Sequence, residues 1–246
     1  MLRPRTTRAI AGLRAAGIPF VVVTGRMHRS VRPYLEQAGI RDPVVCYQGA
    51  LVVDGEGRVL RHAPIPLGLA LEALEVVVSS GHHVKCYVGD ELYVAEVTPE
   101  ARRYADFQRL PITPVGDLRR WLEEPPTKLV AVGDPLELDA LEAEARAHFD
   151  GRLYISKSLP YFLEFASPEV TKATGMEVVA AHLGVSSERT AAFGDGENDV
   201  ELLEWAGYAV AVESAHERVL AVADATCPPP ADEGVAQVLE AWLASG

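Results

Sequence analysis

The chain has 246 residues, 48% of them hydrophobic and 24% charged, and it carries a formal net charge of −12. This composition is typical of a folded globular protein and excludes a disordered chain, a collagen-like repeat and a disulfide scaffold. The charge is uneven, because the first 35 residues contain seven arginines and no acidic residue. Such a basic head could be a nucleic-acid-binding arm, a targeting segment, or part of a fold that lacks a segment.

The composition also limits the partners of the chain. The acidic remainder would repel a phosphate backbone, so we expect no nucleic-acid partner. No apolar run approaches the roughly 20 residues that cross a bilayer, so we expect no membrane partner. Cys46, Cys86 and Cys227 lie far apart without a Cys-x-x-Cys pair, which predicts buried, reduced thiols in a cytoplasmic protein. The sequence does not indicate an oligomeric state.

The first part of the chain alternates helix and strand. Apolar spacing predicts helices over 5–17 and 27–38. The β-branched runs at 18–23 and 44–47 predict strands buried on both faces of a parallel sheet. Asp54-Gly55 between two apolar runs predicts a hairpin.

The pattern changes near residue 64 and the strand–helix alternation returns near 169. Between these points the predicted elements are helices at 67–80, from Thr98 and from Asp134, with strands at 83–88, 91–95, 128–132, 152–156 and 161–165. After them come helices at 172–183, 198–206, 216–223 and 232–244, with strands at 190–193 and 208–212. We therefore predict a Rossmann-like α/β core with a parallel sheet, formed by 1–62 and 169–246, and an inserted α+β domain over 63–168.

Two predicted core strands end in residues that can bind a ligand, and ligands of such sheets bind beyond the carboxyl ends of the strands. The first is followed by Thr24 and Gly25. A hydroxyl and free backbone N–H groups at a helix start can hold a phosphate oxygen. The alternative is a plain turn in which Thr24 caps the next helix.

The second strand is followed by an acidic cluster with the sequence Gly194-Asp195-Gly196-Glu197-Asn198-Asp199. Clustered oxygen ligands indicate Mg²⁺ or Ca²⁺. An EF-hand loop is excluded, because Val200 and Ala206 occupy its sixth and twelfth positions. The alternative is a solvated turn in which Asn198 or Asp199 caps a helix.

Lys172 begins the helix at which the core resumes. A single lysine is usually a solvated charge. Beside a threonine and a carboxylate cluster, however, an ammonium can neutralise a phosphoryl group during its transfer.

These motifs resemble motifs two, three and four of the haloacid dehalogenase superfamily. They are, in order, Val23-Thr24-Gly25-Arg26, Lys172 and Gly194-Asp195-Gly196-x-Asn198-Asp199. The long insertion resembles the α/β cap of the Cof-type branch, and residues 30–33 and 233–236 are also similar to that branch.

The resemblance implies a Mg²⁺-dependent phosphatase of small phosphorylated metabolites such as sugar phosphates, with a cap that selects the substrate. It also implies residue roles: Thr24 and Gly25 hold the phosphate with Arg26 beside it, Lys172 binds the phosphate and orients the nucleophile, Asn198 contacts the phosphate, Asp195 binds Mg²⁺ and Asp199 supports the metal site.

The family's nucleophile is missing from this sequence. Members carry two aspartates in Asp-x-Asp-Gly-Thr at the end of the first, central strand, whereas residues 1–23 contain no Asp or Glu. Loss of that strand would leave its neighbours unpaired beside an open apolar slot. We therefore expect Met1 to be an internal methionine of a protein that starts about 15–25 residues earlier, and the chain as it stands to be inactive.

Other functions stay open at this point. The chain could be a non-catalytic protein that binds phosphorylated metabolites on the same fold, or a phosphomutase of the same superfamily. A nucleotide-binding oxidoreductase is disfavoured, because no Gly-x-Gly-x-x-Gly follows a strand. The substrate also stays open, since Gln48 and Glu213 depart from the family's usual Asn-Gly-Ala and Gly-Asn-Ala segments.

Overall fold

The computed structural model describes residues 2–108 and 110–245. The chain divides into two compact units. We call 1–61 with 171–246 the core unit and 62–170 the inserted unit.

The core unit begins with two helices and four short strands: α1 (Pro4–Ala15), β1 (Val22–Val23), α2 (His28–Ala38), β2 (Val44–Cys46), β3 (Leu51–Val53) and β4 (Val59–His62). It resumes after the inserted unit with α7 (Lys172–Leu183), β11 (Ala191–Gly194), α8 (Val200–Trp205), β12 (Tyr208–Val212), α9 (Glu217–Ala221), β13 (Ala225–Cys227) and α10 (Gly234–Ser245). This order is that of an α/β protein, so the predicted fold class is confirmed.

The strands of the core unit form two sheets. The first sheet has the order β1-β2-β3-β4, and the second has the parallel order β11-β12-β13. β1 and β11 are each an end strand of their sheet, because each pairs with a neighbour on one side within the described residues.

β1 is also shorter than the strand predicted over 18–23. Pro19 has no N–H to donate, and the N–H of Ile18 bonds the carbonyl of Leu13. The N–H of Phe20 bonds the Asp42 carboxylate, 3.0 Å away. The backbone therefore enters ladder pairing only at Val22.

The inserted unit combines helices with one sheet. Its elements are α3 (Leu67–Ser79), β5 (His83–Val88), β6 (Glu91–Val94), α4 (Pro99–Gln108), β7 (Thr113–Pro114), α5 (Leu118–Trp121), β8 (Lys128–Val132), α6 (Pro135–Phe149), β9 (Tyr154–Leu159) and β10 (Phe162–Ala166). The six strands form one mainly antiparallel sheet in the order β7-β6-β5-β8-β10-β9. One face of this sheet packs its alternate apolar residues against α3 and α6.

Two further observations concern the cysteines and the apolar character of the helices. All three cysteines are buried and none forms a disulfide bond, as predicted. Among the described residues, we find no helix with both the length and the apolar character that a membrane span requires.

Candidate active site

The candidate site lies in the core unit, where the carboxyl ends of β1, β2 and β11 converge on the start of α7. The turn after β2, Tyr47–Gly49, packs against α7. A β-carbon built on Gly49 would lie 2.0 Å from the carbonyl oxygen of Thr171, so only glycine permits this approach. The approach places the start of α7 beside the ends of both sheets.

Lys172 is the first residue of α7 and its side chain is buried, with 9% exposed. Thr171 and Thr174 cap the helix by reciprocal hydrogen bonds of 3.1 Å, which fixes the first turn. The Lys172 ammonium donates to Asp199 Oδ1 at 2.5 Å and to Asn198 Oδ1 at 3.3 Å. An ammonium has three donors, so one remains for a ligand.

Asp199 anchors the loop that follows β11. Its Oδ2 accepts hydrogen bonds from the backbone N–H groups of Asp195 and Gly196, both at 3.1 Å. A β-carbon on Gly194 would lie 2.5 Å from Cβ of Asp199, so the glycine is needed for this fold of the loop. Both Asp199 oxygens are therefore already hydrogen-bonded within the protein.

Asp195 has the opposite environment. Its residue is exposed, and its carboxylate makes no hydrogen bond to any residue that the structure describes. Within the same residues, no group of three or more His, Cys, Asp and Glu side chains could hold a metal ion. Mg²⁺ is nevertheless commonly held by one or two carboxylates with water and substrate phosphate oxygens. The free carboxylate of Asp195 fits that set of donors.

The turn after β1 supplies the other half of the site. Thr24 is half-buried, and its Oγ1 accepts a hydrogen bond from the Arg26 N–H at 3.2 Å. The hydroxyl proton of Thr24 is therefore free to point toward a ligand. Gly25 faces the Gln48 amide, since a β-carbon on Gly25 would lie 2.4 Å from Gln48 Nε2. The side chain of Arg26 is exposed.

The structure brings some of the predicted site residues into direct contact and links the others to them through a turn. Lys172, Asn198 and Asp199 are in direct contact, and the backbone of Asp195 is bonded to Asp199. Thr24, Gly25 and Arg26 meet this cluster through the turn 47–49, because Gln48 N–H donates to the Thr24 carbonyl at 3.0 Å.

Gln48 is a feature of the site that the sequence pattern does not assign a role. Its backbone has a φ of 60°, and its side-chain Oε1 is buried without a hydrogen-bond partner among the described residues. The sequence signal for this residue is that Gln48 stands where the family usually has the asparagine of Asn-Gly-Ala. The glutamine side chain is longer by one methylene, and it reaches Gly25.

An α/β core with a buried lysine at a helix start and carboxylates after a parallel strand is suited to binding a phosphate group. The model of the haloacid dehalogenase-like hydrolase family matches residues 1–239, and the chain belongs to this family. The resemblance found in the sequence is therefore confirmed. Members of the family generally use a divalent metal.

Individual relatives are phosphatases. The chain is 28% identical over 245 residues to the 5-amino-6-(5-phospho-D-ribitylamino)uracil phosphatase YitU of Bacillus subtilis, with 97% of this chain and 90% of that protein covered. It is 26% identical over 254 residues to the pyridoxal phosphate phosphatase YbhA of Escherichia coli, with 98% and 92% covered. The crystal structure of TM0651 from Thermotoga maritima is similar with a TM-score of 0.87 at 27% identity, with 97% and 90% covered.

Proposed function

We propose that the core unit binds small phosphate monoesters together with Mg²⁺ at the site formed by Thr24, Lys172 and Asp195. The observation that carries this proposal is the buried Lys172 ammonium, which two neighbours hold in place while one of its donors stays free. A fixed positive charge with a free donor suits a phosphate oxygen.

The neighbouring groups supply the other contacts. The Thr24 hydroxyl donates to the phosphate, and the Asn198 amide N–H groups are free to do so, because its Oδ1 accepts from Lys172. Asp195 holds Mg²⁺ directly, and Asp199 acts indirectly by orienting Lys172 and the loop backbone. Bound Mg²⁺ would neutralise charge on the phosphoryl group. Arg26 lies on the exposed rim of the turn and attracts anionic substrates.

We further propose that these 246 residues bind phosphate esters without hydrolysing them. Phosphoryl transfer in this family, by the resemblance, proceeds through an aspartate of an Asp-x-Asp motif, and this sequence contains no such motif. Lys172, Thr24 and the metal site stabilise charge but do not supply a nucleophile. Because the sequence lacks that nucleophile, we expect binding without turnover.

The substrate class is supported by the relatives. YitU and YbhA are named for a phosphoribityl compound and for pyridoxal phosphate, both small phosphorylated metabolites. We propose that the inserted unit acts as the cap that chooses among such compounds. The three cysteines form no disulfide bond, which supports a location in the reducing cytoplasm.

Calorimetric titration with inorganic phosphate, with and without MgCl₂, tests this proposal. Lys172→Met should weaken phosphate binding about tenfold or more, because one charged hydrogen bond is lost. Asp195→Asn should remove the effect of Mg²⁺ while the fold stays intact, since its side chain is exposed. Lys157→Met, in the inserted unit, is the control and should bind as the wild type does.

The outcomes separate the two parts of the proposal. Phosphate binding that is unchanged in both Lys172→Met and Asp195→Asn would show that the ligand binds elsewhere. Hydrolysis of p-nitrophenyl phosphate by the wild-type chain, with no activity in Asp195→Asn, would overturn the absence of turnover and leave the site assignment standing.

A further inference from the structure

A large cavity lies within the inserted unit. Its volume is about 1130 Å³, and all of its lining residues belong to that unit. Part of its wall is apolar and comes from the sheet and from α4, through Val94, Val132, Phe162 and Ala101. Ligand pockets in proteins commonly measure about 300–1,000 Å³. This cavity is therefore large enough for a small organic molecule.

Lys85, in the middle of β5, lines this cavity and is only 3% exposed. Its neighbours Val84 and Cys86 belong to the apolar core that packs against α3 and α6. Lys85 therefore lies on the opposite face of the sheet. Its Nζ is 3.4 Å from the centroid of the Tyr104 ring and 3.8 Å from that of the Phe162 ring. Two aromatic rings thus hold the amine at the wall of the cavity.

Lys85 differs from the other three lysines of the chain in lacking a counter-charge. Each of the others forms an ion pair with a carboxylate, and the pairs are Lys128 with Glu164, Lys157 with Asp139 and Lys172 with Asp199. The Lys85 side chain makes no hydrogen bond and no ion pair with any residue that the structure describes. Aromatic faces attract an ammonium but do not replace the acceptors that its three donors need.

The charges around Lys85 favour its neutral form. Lys128 and Glu164 lie on the same face of the sheet as Lys85, and their ion pair of 3.2 Å leaves Lys85 as the excess cation. Burial, followed by repulsion from Lys128 and opposed by attraction to Glu164, lowers the pKa of Lys85 from 10.5 to about 7. The other titratable groups beside it are Tyr87 and Tyr104, whose hydroxyls lie 3.2 Å apart in a hydrogen bond.

A lysine that is desolvated and lies near a second cation is a nucleophile for carbonyl compounds. We infer that the cavity binds small aldehydes with an apolar body and that Lys85 holds them as an imine. The lone pair of the amine attacks the aldehyde carbon and forms the C–N bond. The carbonyl oxygen then leaves as water with the two hydrogens of the amine, so no oxidant or reductant is consumed. The body of the aldehyde packs against the rings of Tyr104 and Phe162.

An anionic ligand suits this site less well. It would require Lys85 to stay protonated beside Lys128, and the Glu164 carboxylate on the same face would repel it. An uncharged aldehyde brings no charge into the cavity and so avoids the cost of desolvating one. The site is independent of the proposed phosphate site, because no residue of the core unit lines the cavity.

Treatment of the full chain with benzaldehyde and sodium cyanoborohydride tests this inference. Reduction converts an imine into a stable benzyl amine, and peptide mapping by mass spectrometry shows which of the four lysines, or the N-terminal amine, carries it. At pH 7 the free amine makes up about half of Lys85 but only about one part in 2,500 of an ordinary lysine. We expect Lys85 to be labelled at least about tenfold faster than Lys157, with a rate that saturates as the aldehyde concentration rises.

Two variants test the electrostatic part of the argument. Lys128→Met removes the neighbouring cation and frees the Glu164 carboxylate to pair with Lys85. The pKa of Lys85 should then rise, and a rise by about one lowers its labelling rate at pH 7 about fivefold. Lys157→Met removes a lysine of the same unit that does not line the cavity, and it should leave the labelling of Lys85 unchanged.

The wild type supplies a second measurement that does not depend on the variants folding. Labelling of Lys85 should reach half of its maximum near pH 7, whereas that of Lys157 should rise until about pH 10. Benzyl alcohol, which has the same body without a carbonyl, should slow the labelling of Lys85, and benzoate should not. Absence of labelling at Lys85, equal labelling of Lys85 and Lys157, a half-maximum near pH 10, or protection by benzoate alone would overturn the inference.

Discussion

Asp199 connects the stability of the core unit to the geometry of its site. Lys172 and Asp199 form an ion pair of 2.5 Å, and their side chains are 9% and 7% exposed. In Asp199→Asn the ammonium stays buried without its counter-charge, and an amide group faces backbone N–H donors. Removing one partner of a buried ion pair costs about 3–5 kcal/mol. We expect the free energy of unfolding to fall by about that amount.

The same loop offers a matched control. Glu197 pairs with Arg218 at 2.6 Å, but these side chains are 57% and 63% exposed. Solvent screens such a pair, so Glu197→Gln should cost less than about 1 kcal/mol. Urea unfolding followed by circular dichroism measures both variants. Equal losses in the two variants would refute the argument from burial.

A double variant tests whether the loss comes from the pair itself. Lys172→Met alone leaves the Asp199 carboxylate buried without its cation. Lys172→Met combined with Asp199→Asn removes both charges, so the double variant should lose about 1–3 kcal/mol less than the sum of the single losses. Additive losses would show that the two side chains act independently.

Two further predictions concern the backbone and the acid range. Gly49→Ala should lower the unfolding free energy by about 3 kcal/mol, because φ is 114° and the new methyl would lie 2.0 Å from the Thr171 carbonyl oxygen. Gly57→Ala, with a φ of 85° and open space around it, should cost about 1 kcal/mol. The hydrogen bond from Arg152, followed by one from His148, lowers the pKa of Glu72 from 4.5 to about 2. The lowered pKa of Glu72 stabilises the folded state above about pH 4.5, and this stabilisation is lost as the pH falls toward 2. The difference in unfolding free energy between wild type and Glu72→Gln, measured by urea unfolding, should therefore shrink over that range.

Long, strongly patterned segments of the fold were predictable from the sequence. The helix over 172–183 and the strands over 128–132 and 208–212 match the structure to the residue. Each carries an apolar run or helical stripe that is largely buried, so pattern and packing agree. β13 was missed, because three residues are too few to show a period, and its place follows from pairing with β12.

Pairing between distant strands could not be predicted in the same way. The β-branched run at 18–23 predicts a buried strand, yet its pairing depends on which neighbours are available. In the structure β1 is paired with β2 alone among the described strands, and its residues are half-buried. Local pattern reports the preference of a segment and leaves its partners undetermined.

The residues that form the site were predictable, but the separate roles of Asp195 and Asp199 were not. The order of motifs indicates that Lys172 and the acidic cluster meet, and the two are in contact. The sequence treats Asp195 and Asp199 alike as metal residues. Only burial separates them, since Asp199 is used by Lys172 and two N–H groups while Asp195 is exposed and free.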